Sequence, residues 1–286
     1  AGESLARMQA AKETFAAPES WDWQRDADGK TCGYASLDHV SVPQQGPKGA
    51  KAEGRMAAVA LLYNPQSKHD EKLPRGYDQV RYLAGFYELP RLGLELRRQA
   101  AQIGWDGLGQ QLGIGDGGNG LEDFLRVNFP LANCMLDFYH ASEHVGPLAE
   151  ALHPQDRAQA TAQTKAWRHT LKHQGGSALR RIFDQLDTTA WSAERLETHR
   201  VESQYFRNHE HKMDYPRYLA HGWQIGSGAV ESSCKRVVTQ RLKGAGMRWS
   251  ERGSNAMCYL NALHLSQATQ WNGFWARHPQ NFHLQN

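Results

Sequence analysis

The order of predicted elements indicates an α/β fold built on one mixed sheet. Strand-like segments come first, and the short Gly-, Pro- and Lys-containing loops between them favour antiparallel pairing. Two later strand-like segments flank a helical one, and such a crossover is what parallel pairing requires. From about residue 141 to 220 the pattern is helical throughout, and further helices follow.

The strands are predicted at residues 34–42, 54–63, 81–89, 110–115 and 133–138. We expect the first three to be antiparallel and the last two to join the sheet in parallel. Pro90 suits the first turn of a helix that continues to Ile103, and a short helix is predicted at 121–127. Other helices are predicted at residues 5–15, 148–152, 158–171, 179–186, 193–205, 227–242 and 251–268.

Four regions follow from this order of elements. Residues 1–30 form a polar lead-in segment that we expect to pack loosely. A core is expected from residues 31–140 together with 221–270, interrupted by an all-helical insertion at 141–220. Residues 271–286 form an aromatic and polar tail.

Composition sets broad limits on the class of protein. The chain has 286 residues, of which 40% are hydrophobic and 22% charged, as is ordinary for a globular protein. Its net charge of +3 is too small to identify a nucleic-acid partner. No apolar run reaches membrane-spanning length. The four cysteines form no CxxC pair, so we expect reduced thiols and a cytoplasmic protein: Cys32, Cys134, Cys234 and Cys258.

Three acids stand at positions that favour a metal site. Asp38 lies in the first predicted strand, Asp116 at the carboxyl end of the fourth, and Glu231 in a helix that opens after a glycine-rich turn. Together they can hold two Mg²⁺ (or Mn²⁺) ions for phosphoryl transfer. Each has an ordinary alternative, because Asp116 suits a turn or cap and Glu231 can compensate a helix dipole.

Positive charge follows Glu231 closely. DNA contact is expected from six residues after it: Lys235, Arg236, Arg241, Lys243, Arg248 and Trp249. A solvated helix face is the alternative for these charges. Base stacking by Trp167 or Trp191 is also possible, although a core position is the more ordinary one for tryptophan. Loop cations have the same two interpretations, DNA contact or solubility: Lys48, Lys51, Lys68, Lys72 and Arg75.

Several segments resemble one known group, the DDE transposases of bacterial insertion sequences, and most closely the mutator-like Kra insertion-sequence family. The matching segments are residues 35–43 (ASLDHVSVP), 113–117 (GIGDG), 136–140 (LDFYH) with Glu143 and His144, 225–236 (IGSGAVESSCKR) and 240–250 (QRLKGAGMRWS). They span most of the chain, and the fourth is the most specific to the family.

The resemblance implies a ribonuclease-H-like catalytic core in which Asp38, Asp116 and Glu231 are the catalytic, metal-binding triad. It implies cleavage at mobile-element ends and transfer of the 3′ ends into target DNA. The expected partners are double-stranded DNA and further copies of the chain, as a dimer or higher oligomer on DNA, in a nucleoid-associated cytoplasmic setting.

Asp137 and His140 match an accessory Cys/Asp-x-x-His motif of mutator-like enzymes. Three roles stay open for this pair: metal ligation together with His144, hydrogen bonding that shapes the edge of the site, or helix capping.

The sequence departs from the family pattern at two places, and two rival activities therefore stay open. His39 stands where family members usually carry glycine after the first Asp, and no amino-terminal DNA-recognition region is found, so we expect a truncated catalytic core. One rival is a ribonuclease-H-fold nuclease or resolvase that cleaves without joining. The other is a catalytically silent DNA-binding remnant.

Overall fold

A five-stranded open sheet forms the centre of the protein in the computed structural model, which describes residues 2–10, 18–65, 77–118 and 120–277. The strand order is β3-β2-β1-β4-β5. The first three strands are antiparallel, and β1 pairs with β4 and β4 with β5 in parallel, which confirms the predicted mixed sheet. The strands are β1 Cys32–Gln45, β2 Lys51–Tyr63, β3 Val80–Gly85, β4 Gln110–Gly115 and β5 Ala132–Leu136.

The carboxyl ends of three strands differ from the predicted ones, and β1 continues to Gln45 rather than ending at Val42. The third strand ends at Gly85, because Leu89 already begins a helix with Pro90 in its first turn. The fifth strand ends at Leu136, because Asp137 caps the helix that begins at Phe138. The predicted strand ends at Leu89 and Phe138 are therefore wrong.

Helices cover both faces of the sheet. They are α1 Gly2–Ala10, α2 Leu89–Gln102, α3 Leu121–Asn128, α4 Phe138–Glu143, α5 Val145–Leu152, α6 Arg157–Gln174, α7 Gly176–Asp184, α8 Ala193–His209, α9 Tyr215–Ala220, α10 Gly228–Ser233, α11 Gln240–Leu242, α12 Glu251–Leu265 and α13 Ala268–Ala276. A π-helical segment, Cys234–Thr239, joins α10 to α11. Residues 141–220, all of which the structure describes, contain no strand, as predicted.

Alternation along β1 assigns Asp38 to one face of the sheet. Tyr34 and Val42 lie in the larger core, which includes residues of α10, the π-helical segment and α12. Ala35 and Leu37 point the other way, into the core that contains residues of α2 and α3. Side chains alternate along a strand, so Asp38 shares the face of Tyr34 and Val42.

Gly113 lets α3 lie close to β4. A Cβ at this position would overlap Leu125 Cδ1 of α3. We therefore expect Gly113→Ala to destabilise the fold by about 1–3 kcal/mol through overpacking, measured by urea unfolding. Gly107→Ala is the matched control, because a Cβ at Gly107 would meet open space. Equal losses in the two variants would contradict this account of the packing.

Over residues 2–10 and 18–30, which the structure describes, the lead-in segment packs closely, so the expectation of loose packing is wrong there. Leu5 and Met8 of α1 are buried in a small core with Phe274. Trp21 is buried in the core beside α2, and Glu19 pairs with the buried Arg81 at 3.2 Å. The lead-in segment contributes apolar side chains to two cores. Its mostly polar composition did not indicate this packing.

The sequence indicated neither paired cysteines nor a membrane-spanning segment, and the structure agrees on both points. Cys32, Cys134, Cys234 and Cys258 are all free. Within the described ranges, no helix has both the length and the apolar character needed to cross a membrane.

Candidate active site

Asp38 lies on β1, and Asp116 directly follows the adjacent parallel strand β4, which ends at Gly115. The paired residues of β1 and β4 keep a constant offset along the chain. Ser36 Oγ continues that offset by donating to Ile114 O, 78 residues on, at 2.8 Å. The same offset separates Asp38 from Asp116, and residues in register on parallel strands point to the same face. Both acids therefore lie at the same end of the two strands, beyond the last paired residues Ala35 and Gly113.

Glu231 is linked to Asp38 through Cys234. The Cys234 thiol donates to Asp38 Oδ2 at 3.3 Å. Residues three apart share a helix face, which places Glu231 on the side of Cys234. Burial raises the pKa of the Cys234 thiol, and the negative charges of Asp38 and Glu231 raise this pKa further. A neutral thiol thus lies between the carboxylates of the first and third predicted acids.

Asp137 is fully buried and joins two segments of the chain. One carboxylate oxygen accepts from Tyr139 N at 2.5 Å and His140 N at 3.2 Å, so Asp137 caps α4. The other accepts from Ser227 N at 2.8 Å and from Ser227 Oγ. Two of the roles left open by the sequence, helix capping and hydrogen bonding that shapes the site, are therefore combined in this side chain.

Ser227 connects Asp137 to Glu231. Its hydroxyl lies within hydrogen-bond distance of Glu231 Oε1, at 3.1 Å, as well as against Asp137. A serine hydroxyl has one proton, so it donates to one of these carboxylates at a time. Asp137 N also donates to Gly115 O at 2.7 Å, next to Asp116. Nothing in the sequence singled out Ser227 within its glycine-rich turn.

His140 and His144 are held by other side chains. His140 Nδ1 lies 3.6 Å from Glu143. His144 Nδ1 lies 2.8 Å from Glu202 of α8, and its ring stacks on Tyr205 with 3.5 Å between the ring centroids. In the part of the chain described, Asp137, His140 and His144 do not form a group with the spacing of metal ligands. His144 instead attaches α4 to the helical insertion.

The candidate site collects negative charge without a protein counter-charge. Among the described residues, no lysine, arginine or histidine lies within ion-pair distance of four carboxylates: Asp38, Asp116, Asp137 and Glu231. Among the described residues, Asp116 accepts a local backbone hydrogen bond, from Gly118 N at 2.9 Å. Hard divalent cations prefer such carboxylate oxygens. The donor chemistry of the site therefore fits Mg²⁺ or Mn²⁺.

Asp38, Asp116 and Glu231 do not form a group with single-ion spacing in the described part of the chain, because their ligand atoms are not all within 4.8 Å of one another.

A different group has single-ion spacing within the described ranges: Asp26, Asp28 and His221. Asp26 already accepts from the backbone N–H groups of Asp28 and Lys30 and from Trp223 Nε1. Asp26 and Asp28 lie before β1, and His221 lies after α9. The sequence did not indicate this group because His221 is far along the chain from the two aspartates.

Most of the predicted DNA-binding cations are exposed. Lys235, Arg241, Lys243 and Arg248 are exposed, and Arg236 is half-buried. In the described part of the chain none of the five forms an ion pair. Arg248 Nη1 donates to Gly49 O at 2.9 Å, which attaches this segment to the tip of the β1–β2 hairpin. The exposed Lys48 and Lys51 of the hairpin extend the positive surface.

The predicted aromatic contacts differ in their exposure. Trp249 is half-buried against the core and its Nε1 donates to Leu242 O at 3.0 Å. Trp167 is a core residue packed on Phe183, which is the ordinary alternative for tryptophan. Trp191 is half-buried beneath the guanidinium of Arg195. Lys68, Lys72 and Arg75 lie outside the described residues.

Comparison of the chain with protein-family models gives no match, and a search of curated proteins gives none either. The functional interpretation therefore depends on the chemistry and geometry of the residues themselves.

Proposed function

We propose that the chain is the catalytic domain of a DDE-type DNA transposase with a ribonuclease-H-like core. It would cleave DNA at the ends of a mobile element and transfer the 3′ ends into target DNA. One observation carries the proposal: Asp38 on β1 and Asp116 directly after β4 lie at the same end of two adjacent parallel strands, and Cys234, one helical turn after Glu231, donates to Asp38. The family resemblance of the same three acids supports it further.

Asp38, Asp116 and Glu231 would hold two Mg²⁺ or Mn²⁺ ions. When bound, such ions lower the pKa of water and stabilise the attacking and leaving oxygens at phosphorus. The chain supplies the orientation of the ligands. Cys234 donates to one oxygen of Asp38, and Ser227 lies against Glu231. Asp137 fixes Ser227 relative to α4, which gives the accessory motif a positioning role rather than a metal-binding one.

The same proposal assigns the positive surface to the DNA backbone. Lysine and arginine that neutralise phosphates release counterions, so their contribution to affinity falls as salt rises. Transposition joins two element ends to one target, and we therefore expect a homodimer or higher oligomer on DNA.

Lys243 offers a test of this surface. We expect Lys243→Gln to reduce the slope of log affinity against log salt concentration by about one, with little change in sequence preference. Fluorescence anisotropy with a labelled duplex at several salt concentrations measures the slope. Lys165→Gln is the control, because Lys165 is an exposed residue of α6 in the insertion. Equal slopes for the wild type and Lys243→Gln would remove Lys243 from the DNA surface.

The proposed activity is tested with supercoiled plasmid and Mg²⁺ or Mn²⁺. Nicking that requires the metal, followed by joining of a labelled 3′-hydroxyl oligonucleotide to the plasmid, is the expected result for a transposase. Nicking without joining would replace the proposal with a nuclease or resolvase. Binding with neither reaction would indicate a catalytically silent DNA-binding remnant.

A further inference from the structure

Tyr139, the second residue of α4, carries an aromatic ring that is open to solvent. The residue is 66% exposed, whereas the other phenylalanine, tyrosine and tryptophan residues that the structure describes are buried or half-buried. An aromatic ring presents a large, rigid apolar surface, and covering that surface with a flat ligand is favourable. The Tyr139 ring is therefore available to a ligand as it stands.

Hydrogen bonds join the start of α4 to the glycine-rich turn before α10. Phe138 N donates to Ile225 O at 2.8 Å. Ser227 N donates to one carboxylate oxygen of Asp137 at 2.8 Å, and Tyr139 N donates to the other at 2.5 Å. The backbone that carries the Tyr139 ring is therefore fixed relative to this turn.

Gly226 lets the ring lie directly on the same turn. A Cβ at Gly226 would be 2.7 Å from Tyr139 Cε2, which is closer than two carbon atoms pack. Ser227 follows Gly226 along the chain, and the Ser227 hydroxyl lies 3.1 Å from Glu231 Oε1. The exposed ring thus contacts the residue next to the one that touches the third acid of the candidate site.

We propose that Tyr139 stacks on an unpaired nucleobase beside the phosphate that is cleaved. The inference rests on the proposed function and deepens it, because it assigns a substrate contact outside the acids. Successive nucleotides of a strand lie about 3.4 Å apart along the helix axis, so a base that flanks a phosphate bound beside Glu231 would meet a ring at this position. A paired base has both faces covered by its neighbours, so only an unpaired or terminal base offers a face for stacking.

The test compares two fluorescein-labelled duplexes of one sequence in the full chain. One duplex is fully paired, and the other carries a single unpaired adenine. Anisotropy in Ca²⁺ gives the affinity for each, and the wild type should prefer the duplex with the unpaired adenine. Tyr139→Ala should bind that duplex about tenfold more weakly and bind the paired duplex as the wild type does. Tyr139→Phe keeps the ring and should retain the wild-type preference.

A spectroscopic signal reports the stacking itself. Placing 2-aminopurine at the unpaired position gives a fluorescence that falls when this base stacks on an aromatic ring. We expect quenching by the wild type and by Tyr139→Phe, and none by Tyr139→Ala.

Leu131→Ala is the matched control. Leu131 is 76% exposed and directly precedes β5, whereas Tyr139 lies beyond the opposite end of that strand. Its removal should alter neither the affinities nor the quenching. Tyr139→Ala and Leu131→Ala should both melt close to the wild-type temperature, because each side chain is already mostly in water.

The outcomes separate this inference from the proposed function. An unchanged preference in Tyr139→Ala, or a wild type without any preference for the unpaired adenine, would overturn the inference, while a wild type that nicks and joins still supports the transposase. Equal losses in Tyr139→Ala and Tyr139→Phe would also overturn it, since the hydroxyl rather than the ring would then contact DNA. A large fall in melting temperature in Tyr139→Ala would show a structural role instead. A Tyr139-dependent preference in a wild type that neither nicks nor joins would refute the transposase and leave the stacking contact in a DNA-binding remnant.

Discussion

Asp116→Asn is expected to lower metal-dependent DNA cleavage at least about a thousandfold, because each metal-ion contact to the reacting oxygens contributes several kcal/mol. The amide keeps the shape of the side chain and an oxygen that can accept from Gly118 N, as Asp116 does now. It loses the negative charge that holds a cation. Plasmid nicking gives the rate, and anisotropy should give a DNA affinity close to that of the wild type.

Asp123→Asn is the matched control for this variant. Asp123 is an exposed acid in the first turn of α3, close in sequence to Asp116, and it pairs with Arg126 at 3.1 Å. We expect it to cleave DNA at the wild-type rate. Retained cleavage in Asp116→Asn would refute the assignment of Asp116 as a metal ligand.

Asp137→Ala is expected to destabilise the fold by about 3 kcal/mol or more. The substitution removes the cap of α4 and leaves the N–H group of Tyr139 and the buried N–H group of Ser227 without their acceptor. Urea unfolding followed by circular dichroism measures the loss. We expect cleavage to fall as well, because Ser227 and Glu231 lose their fixed position relative to α4.

Asp156→Ala separates this effect from ordinary helix capping. Asp156 caps α6 by accepting from Gln159 N at 2.9 Å in an exposed position. Its loss should cost about 1 kcal/mol. Similar losses in the two variants would mean that Asp137 acts only as a cap.

The arrangement of the sheet could be predicted from the sequence because it depends on local signals. Alternating and apolar segments separated by short loops indicated the antiparallel strands, and the helix before residues 133–138 indicated a parallel crossover. The register between β1 and β4 could not be predicted in this way. No local signal indicates that Ser36 on β1 lies beside Ile114 on β4, 78 residues on, because pairing between distant strands is decided by the packing of both faces.

The sequence indicated the acids of the candidate site, but it did not indicate the residues that orient those acids. Cys234 was predicted only as a reduced thiol, yet a buried thiol can also donate, and its bond to Asp38 joins segments far apart in sequence.

The π-helical segment Cys234–Thr239 limits which changes of sequence the chain can tolerate. Its wider turn begins at the residue that touches Asp38, and helices of this kind often occur at functional sites. The wider turn sets the rotation of the helix after it relative to Glu231. Losing one residue within this segment would turn the basic residues at Arg241 and Lys243 away from their present direction. Point substitutions there should be tolerated more readily than single-residue deletions.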